Sequence, residues 1–192
     1  MMGLPDPWAR PKPNVLANLH GWFSDEKRKT MRKLIERKKP KRFLEIGAWL
    51  GQSTIFFADF CQVVTVDSWL GSPKHWKEAN RVEKFLPTLY ETFLVNCWEK
   101  QDKIFPVRMA SIAALKFFQI KKIEFDMIYL DGDHRYEAVK ADLEEIVKLP
   151  GNPFVTGDDW FRNEGMKDCV QTAVREVYGN RVKNEGITWW IE

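Results

Sequence analysis

Four acid–base side chains in the C-terminal half of the chain follow two short apolar segments and could hold a cation or move a proton. Asp131 and His134 belong to the run Asp-Gly-Asp-His, and Asp158 and Asp159 stand side by side further along. If the two apolar segments are neighbouring strands, the three carboxylates converge. They would then repel one another by roughly a few kcal/mol per pair, which calls for a cation or a shared proton. Oxygen ligands suit Mg²⁺, Ca²⁺ or Mn²⁺ and do not suit zinc.

Turn formation is the alternative explanation for these acids. Asp133 would then cap the helix that opens near Arg135. Asp158 and Asp159 would lie in a turn, and His134 would only pack. We favour the structural role for Asp133. For the other three acids we favour chemistry, because a turn needs no acid at two different strand ends.

A glycine-containing loop earlier in the chain is suited to a nucleoside. Residues 45–53 read Glu-Ile-Gly-Ala-Trp-Leu-Gly-Gln-Ser and follow the start of a predicted strand. The glycines let the backbone approach a ligand closely. Asp67 ends the next predicted strand, where a carboxylate can accept hydrogen bonds from both ribose hydroxyls. Trp49 stands where the Gly-x-Gly-x-x-Gly pattern has its second glycine, which argues against a nicotinamide or flavin dinucleotide.

The elements that must position these residues alternate between strands and helices. Parallel strands need crossover connections that are usually helical, so the alternation predicts an α/β fold with a Rossmann-like, doubly wound sheet. We expect about seven strands, mostly parallel, with a C-terminal antiparallel hairpin. The predicted strands are 42–47, 62–67, 103–109, 125–130, 153–156, 181–183 and 187–191, and the predicted helices are 53–59, 87–97, 111–118, 136–147 and 166–178.

Composition indicates one globular domain. The 192 residues are 44% hydrophobic and 30% charged, which excludes disorder and collagen-like repeats. We expect an N-terminal extension at residues 1–20 and a single domain at residues 21–192. No run approaches the ~20 apolar residues of a membrane span, so we expect no membrane partner and a cytoplasmic location. Cys61, Cys97 and Cys169 are odd in number and far apart, which predicts buried thiols.

A basic segment precedes the first predicted strand. Ten Lys or Arg residues and one acid occupy residues 27–42, within which Met31, Leu34 and Ile35 recur at helical spacing. The pattern predicts a helix with a basic face. We favour a solvated face and leave contact with a phosphate-bearing partner as the alternative.

The motifs, taken in their order along the chain, resemble those of class I S-adenosylmethionine-dependent methyltransferases. Within that class they are most similar to the metal-dependent O-methyltransferases of catechol and caffeoyl-CoA type, and to small bacterial and viral methyltransferases with an Asp-Gly-Asp-His motif. The resemblance covers about residue 21 to the C-terminus. It implies S-adenosyl-L-methionine as the cofactor, a divalent cation such as Mg²⁺, and O-methylation of a hydroxylated small molecule.

The resemblance also assigns roles to individual residues. Asp67 falls where the family binds the ribose, and Ala110 and Ser111 fall where it contacts the adenine. Asp131 matches the first metal ligand, and an acidic pair after the next strand completes the metal site. The predicted cofactor-binding residues are Glu45, Gly47, Ala48, Trp49, Gly51, Ser53, Asp67, Ser68, Ala110, Ser111 and Asp131, the predicted metal ligands are Asp131, Asp158 and Asp159, and the predicted catalytic residues are His134 and Asp131.

The implied reaction is an in-line transfer of a methyl group to an acceptor oxygen, for which the enzyme mainly aligns the reactants. A cation on the three aspartates would bind the acceptor hydroxyl and lower its pKa. His134 stands where the catechol-type enzymes carry a lysine that acts as general base, and histidine can take a proton from a hydroxyl near neutral pH. Residues 68–86 are predicted to form a lid that selects the acceptor, and the predicted acceptor contacts are Trp69, His75, Trp76 and Trp160.

Three other functions compete with this interpretation. A nucleic-acid or protein methyltransferase would explain the basic segment, but base-amino methyltransferases usually carry an Asn/Asp-Pro-Pro-aromatic motif where this chain has Asp-Gly-Asp-His. A non-catalytic S-adenosylmethionine-binding protein would not need the acids, which are all present. A dinucleotide oxidoreductase is disfavoured by Trp49. We therefore expect a small-molecule acceptor as the partner and leave nucleic acid open without favouring it, and a homo-oligomer is compatible with the sequence.

Overall fold

Seven β-strands and six α-helices alternate along the part of the chain that the computed structural model describes, which is residues 4–71, 82–161 and 169–192. The strands are β1 (Arg42–Ile46), β2 (Gln62–Asp67), β3 (Ile104–Arg108), β4 (Met127–Leu130), β5 (Phe154–Gly157), β6 (Val182–Glu185) and β7 (Thr188–Ile191). The helices are α1 (Asp25–Lys38), α2 (Gln52–Phe57), α3 (Leu89–Cys97), α4 (Ser111–Ile120), α5 (Tyr136–Ile146) and α6 (Val170–Tyr178).

The strands form one sheet in the order β3-β2-β1-β4-β5-β7-β6. The first five strands pair in parallel, and β7 pairs antiparallel with β5 and with β6. This topology confirms the predicted Rossmann-like sheet with its C-terminal hairpin. Strands β2 and β3 lie on one side of β1, and β4 and β5 lie on its other side, so the strand order reverses between β1 and β4. Ligands of such sheets bind at this position, beyond the carboxyl ends of the strands.

Alternate side chains of the central strands pack on opposite faces of the sheet. Phe43 and Met127 belong to the apolar core shared with α1, α2 and α3. Leu44 and Ile128 belong to the core shared with α4, α5 and α6. Both faces are therefore covered, which is why most residues of these strands are apolar on both faces.

Helix α1 begins at a serine cap and buries one apolar stripe. The Ser24 hydroxyl accepts a hydrogen bond from the Lys27 backbone N–H at 3.4 Å. Met31, Leu34 and Ile35 are buried, as their spacing predicted. Lys27 differs from the predicted basic face, because its side chain turns inward and the residue is only 6% exposed.

The closing hairpin turns later than predicted. Asn184 and Glu185 were expected in the turn, but they pair with Trp189 and Thr188 and belong to β6. The turn instead falls at residues 186–187, where Gly186 has a φ of 56°. Glycine adopts this left-handed conformation without a steric penalty, so it fixes the position of the turn.

The N-terminal extension and the lid were also predicted from the sequence. Trp8, in the extension, packs on the domain through a hydrogen bond from Nε1 to the Ile104 carbonyl at 2.7 Å. The boundary at residue 20 stays a prediction. The predicted lid, residues 68–86, includes residues 72–81, which lie outside the described residues, and so do the predicted acceptor contacts His75 and Trp76.

All three cysteines, Cys61, Cys97 and Cys169, are buried and free, which confirms the prediction of buried thiols. No helix within residues 4–71, 82–161 and 169–192 is long and apolar enough to cross a membrane.

Glu45 is a fully buried carboxylate that ties β1 to its neighbours. Its Oε1 accepts a hydrogen bond from the Ser53 hydroxyl at 2.5 Å, and its Oε2 accepts from the hydroxyls of Thr54 and, at 2.8 Å, Thr65. Ser53 and Thr54 belong to α2 and Thr65 to β2, so one side chain joins three elements. Burial raises the pKa of Glu45 to about 7, although the three hydroxyl groups oppose the shift.

We expect Glu45→Gln to remove a pH dependence of stability. A carboxyl group whose pKa is raised on folding stabilises the protein most below its unfolded pKa, and this stability is lost as the pH rises from about 4.5 to about 7. The loss is roughly 3 kcal/mol for a shift of this size. Urea unfolding across this pH range should show wild-type stability falling relative to Glu45→Gln, whereas the exposed control Glu185→Gln should follow wild type. Parallel curves for wild type and Glu45→Gln would contradict this.

Gly157, the last residue of β5, leaves no space for a side chain. A Cβ there would lie 2.2 Å from Cζ2 of Trp189 and 2.8 Å from the Leu130 carbonyl oxygen. We expect Gly157→Ala to lower the free energy of unfolding by about 3 kcal/mol, because a strand or the indole must move. Gly132→Ala is the control, since its Cβ would lie 3.6 Å from the nearest atom. Thermal unfolding that gives both variants the same Tm would refute the steric argument.

Candidate active site

The loop after β1 lies directly against the backbone that follows β4. Gly47 has a φ of 92°, and a Cβ at this position would lie 2.1 Å from the Asp131 carbonyl oxygen. Gly51, at the other end of the loop, has a φ of 89°, and a Cβ there would lie 2.8 Å from Sγ of Cys97. Only glycine fits at both positions. The predicted glycine loop is therefore required by the fold as well as suited to a ligand.

Asp67, at the end of β2, holds the same loop. Its Oδ2 accepts the N–H groups of Ala48 and Trp49, both at 3.0 Å, and its Oδ1 accepts the N–H of Trp69 at 2.8 Å. The side chain is half-buried at the ligand-binding edge of the sheet. Asp67 thus shapes the loop, and its predicted contact with a ribose stays a prediction.

Two of the predicted cofactor-binding residues form hydrogen bonds on the buried side of the loop. Glu45 and Ser53 are buried and hydrogen-bonded to each other, so in this structure they brace the loop. Direct contact of either side chain with a cofactor stays a prediction. Ser68 lies nearer the edge, where its hydroxyl accepts the N–H of Leu70 at 3.3 Å.

The predicted adenine contacts lie at the start of α4. Ala110 occupies the N-cap position, and Ser111 is the first residue of the helix. The Ser111 hydroxyl is hydrogen-bonded to the buried Asp142 of α5. Burial raises the pKa of Asp142 to about 6, and the Ser111 hydrogen bond opposes this shift.

Asp131, His134 and Asp159 come together at the carboxyl ends of β4 and β5. One donor atom from each lies within 4.8 Å of the other two. Nδ1 of His134 lies 2.7 Å from Oδ2 of Asp159, and the Tyr129 hydroxyl donates to Oδ2 of Asp131 at 3.3 Å. The side chains of His134 and Asp159 are 33% and 19% exposed, so a solute can reach them.

Asp158 is the fourth member of what we call the acidic cluster (Asp131, His134, Asp158 and Asp159), and it is paired with Lys27. The Lys27 ammonium donates a hydrogen bond to Oδ2 of Asp158, and the two side chains are 7% and 1% exposed. Oδ1 of Asp158 is buried and has no hydrogen-bond partner among the described residues. Sequence reasoning missed Lys27, because a run of basic residues does not reveal which side chain turns inward.

The carboxylates of the acidic cluster raise one another's pKa values. Burial raises the pKa of Asp131 well above its ordinary value, the charge of Asp158 adds to the shift, and Lys27 opposes it. Burial also raises the pKa of Asp158, against the effect of Lys27. Burial lowers the pKa of Lys27, but the charges of the three aspartates outweigh this, so the net shift is upward.

The donor set of the acidic cluster fits a divalent cation that prefers oxygen ligands. The carboxylates of Asp131 and Asp159 lie together with the imidazole of His134. Oδ1 of Asp158 adds a buried oxygen that has no hydrogen-bond partner within the described ranges. The predicted ligands were Asp131, Asp158 and Asp159, whereas the structure groups two of these with His134 and pairs Asp158 with Lys27. Cation binding stays a prediction.

Asp133 has the structural role that we favoured. Its Oδ1 accepts the backbone N–H of Arg135 at 3.0 Å, and its Oδ2 lies 2.5 Å from Nη2 of the same residue. These bonds fix the chain just before α5 and leave Asp133 outside the acidic cluster.

Two of the tryptophans predicted to contact the acceptor lie in the core instead. Trp69 is 2% exposed and Trp160 is 4% exposed. Nε1 of Trp69 donates a hydrogen bond to the Trp49 carbonyl at 2.9 Å, so the buried indole stabilises the loop. This burial argues against acceptor contact by either residue.

An aromatic group that the sequence did not single out covers the outer side of the loop. Trp22 is 56% exposed, and its ring centre lies 5.5 Å from that of Trp49. His20 lies 5.1 Å from Trp22 and 5.2 Å from Phe85. These residues come from three separate segments, and no short-range sequence signal connects them.

Comparison with known proteins agrees with this geometry. A family model described as a methyltransferase domain matches residues 44–160, more than half of the chain. The match includes the glycine loop, Asp67 and the whole acidic cluster. No curated protein sequence matches the chain.

Solved methyltransferase structures share the fold. The O-methyltransferase from Bacillus cereus in complex with SAH is 21% identical with a TM-score of 0.58, over 88% of this chain and 82% of that chain. A Staphylococcus aureus protein provisionally named a caffeoyl-CoA O-methyltransferase is 16% identical with a TM-score of 0.61, over 90% and 85%. CalS11, a calicheamicin methyltransferase, is 16% identical with a TM-score of 0.60, over 88% and 80%.

These identities are low, so the solved structures show the fold alone. The family assignment rests on the match over residues 44–160. The strand order and the position of the loop and the acidic cluster at one sheet edge agree with it. The chain therefore belongs to the methyltransferase-domain family, which confirms the predicted class I methyltransferase.

Proposed function

We propose that this methyltransferase transfers a methyl group from S-adenosyl-L-methionine to a hydroxyl oxygen of a small molecule, with a divalent cation at the acidic cluster. The observation that carries the proposal is the convergence of Asp131, His134 and Asp159, whose donor atoms lie within 4.8 Å of one another beside the Gly47 loop. Transfer to a hydroxyl requires a group that accepts its proton and a positive charge near the resulting oxyanion.

The loop after β1 is the proposed binding site for S-adenosyl-L-methionine. Gly47 and Gly51 let the loop pack closely against the backbone after β4 and against Cys97, and Asp67 places a carboxylate beside the loop. When bound, this cofactor supplies a methyl group on a positively charged sulfur. The SAH complex of the Bacillus cereus neighbour supports the same cofactor here. Trp49, Ser68 and the start of α4 would complete the site.

His134 is the proposed acceptor of the hydroxyl proton. Asp159 holds its Nδ1 at 2.7 Å, so the second ring nitrogen is the one available to accept a proton. Asp159 also fixes the plane of the imidazole, which a general base needs in order to stay aligned with its substrate. The 33% exposure of the His134 side chain leaves it accessible to the acceptor.

Asp131, Asp159 and Oδ1 of Asp158 are the proposed oxygen donors for the cation. When bound, Mg²⁺ or another oxygen-preferring divalent cation would supply a Lewis acid that lowers the pKa of a hydroxyl group. We assign His134 to the proton because its Nδ1 is already held by Asp159. The Tyr129 hydroxyl orients Asp131 from the buried side.

Oxygen is the proposed acceptor atom because the solved neighbours are named for oxygen acceptors. One is the protein named a caffeoyl-CoA O-methyltransferase, and CalS11 is also described as a TDP-rhamnose 3'-O-methyltransferase. The partners of these two differ, a phenolic thioester and a sugar nucleotide, so the shared feature is the hydroxyl group. A cytoplasmic location for this chain stays a prediction.

The basic segment does not favour a nucleic-acid acceptor. Many of its charges have partners within the chain: Lys33 pairs with Glu185 at 2.6 Å, and Arg37 lies 3.8 Å from Glu192. Arg28 lies over the ring of Phe23, and Arg32 lies over the ring of Phe60. Charges engaged in this way are less available to phosphates, so we retain a small-molecule acceptor.

Asp67→Ala is expected to weaken the binding of S-adenosyl-L-methionine. The substitution removes the carboxylate that orders the loop and that we place at the ribose, so the dissociation constant should rise about tenfold or more. Isothermal titration calorimetry measures this directly. The control is Asp59→Ala, an exposed carboxylate that pairs with Lys100. If folded wild-type protein bound no S-adenosyl-L-methionine, the proposed function would be wrong.

His134→Ala is expected to slow methyl transfer without changing cofactor affinity. Loss of a general base typically lowers kcat by about 10²–10⁴-fold. Turnover would be measured by the release of S-adenosylhomocysteine with a panel of phenols and sugars, in the presence of Mg²⁺. Asp59→Ala, at an exposed carboxylate that pairs with Lys100, is the control. If His134→Ala matched wild type on every accepted substrate, the base would have to be another group.

A further inference from the structure

Lys27 brings a positive charge from the N-terminal helix into the acidic cluster. Its ammonium contacts Oδ2 of Asp158, and its side chain is 7% exposed, so solvent screens the charge only weakly. The charges of Asp131 and Asp159 also act on it. No other lysine or arginine among the described residues forms an ion pair with a member of the cluster.

The position of this ammonium is set by the fold of α1. Lys27 lies in the first turn of the helix, where its own N–H is bonded to the Ser24 cap. The buried stripe of Met31, Leu34 and Ile35 fixes the rotation of the helix against the sheet. The Lys27 side chain is thus held at Asp158 by the packing of the whole helix.

Charge balance shows what this ammonium does to the site. If all three carboxylates are ionised and the imidazole of His134 is neutral, the carboxylates and Lys27 together carry two negative charges, which one divalent cation would neutralise. Without Lys27 these carboxylates would carry three negative charges, and Oδ2 of Asp158 would lose its ion-pair partner. Charges a few ångströms apart in a partly buried site interact strongly.

We propose that Lys27 is a positioning residue that sets the cation affinity of the acidic cluster, because it occupies one oxygen of Asp158 and cancels one of the three negative charges. The inference rests on the proposed function, in which the cluster holds a divalent cation. Lys27 holds the affinity down and leaves Asp131, Asp159 and Oδ1 of Asp158 as the donors. The affinity of the cluster for a cation is thus set in part by a residue of α1.

The role of Lys27 differs from that of an ordinary buried ion pair. A purely structural pair can often be replaced by apolar side chains with little change in the rest of the protein. Here, replacement of Lys27 by an apolar residue is expected to change the affinity of the acidic cluster for a cation. A cation-binding measurement therefore separates the two roles.

The test is a titration of metal-stripped protein with Mn²⁺, in which free Mn²⁺ is measured by electron paramagnetic resonance. Lys27→Met should bind Mn²⁺ about tenfold more tightly than wild type or better, since one opposing charge is removed and one carboxylate oxygen is released. Lys33→Met is the matched control, because Lys33 lies on the same helix and pairs with the exposed Glu185. It should bind Mn²⁺ as wild type does.

A second pair of variants keeps the test decisive if Lys27→Met does not fold. Asp158→Asn should bind Mn²⁺ more weakly than wild type, because one negative charge is lost. Adding Lys27→Met to Asp158→Asn should tighten binding again by about tenfold, although no unpaired carboxylate is created. Circular dichroism confirms that each protein is folded.

The outcomes separate this inference from the proposed function. Tighter Mn²⁺ binding on removal of Lys27, in either background, supports the role of Lys27. Unchanged or weaker binding in the folded variants overturns it, as does the absence of Mn²⁺ binding in all of them. S-adenosyl-L-methionine affinity, measured on the same samples by calorimetry, decides the proposed cofactor independently.

Discussion

The close backbone contact between Gly47 and Asp131 is the constraint on which the site depends. It exists because β1 and β4 are parallel neighbours that end at the same sheet edge, and because residue 47 has no side chain. Any Cβ at residue 47 would push the two loops apart. The contact joins the predicted cofactor loop to the acidic cluster, so the methyl donor and the acceptor hydroxyl would meet across it.

Buried charges reinforce this arrangement at two points. Glu45 ties β1 to α2 and β2 through three hydroxyl groups, and Lys27 ties α1 to the residue after β5 through Asp158. A buried charge is costly unless it is paired and hydrogen-bonded, so such groups tolerate few alternative geometries. The first fixes the loop, and the second fixes the N-terminal helix over the acidic cluster.

The N-terminal part of the chain is thereby part of the site. Ser24 starts α1 so that Lys27 reaches Asp158, and the preceding segment places Trp22 against Trp49. The matched family region begins at residue 44 and includes neither Lys27 nor Trp22. Both residues reach the site because the segment before the matched region packs onto the sheet.

The sequence by itself determined the α/β class, the parallel strands, the glycine loop and the acids after β4 and β5, because each follows from local periodicity and from the rule that ligands bind at strand ends. Tertiary structure alone decided that Lys27 is buried against Asp158, that Asp159 pairs with His134, and that Trp69 and Trp160 lie in the core. These are contacts between residues far apart in the chain. A side chain's rotation about its helix and its depth in the fold depend on the packing of every neighbouring element, which no local pattern records.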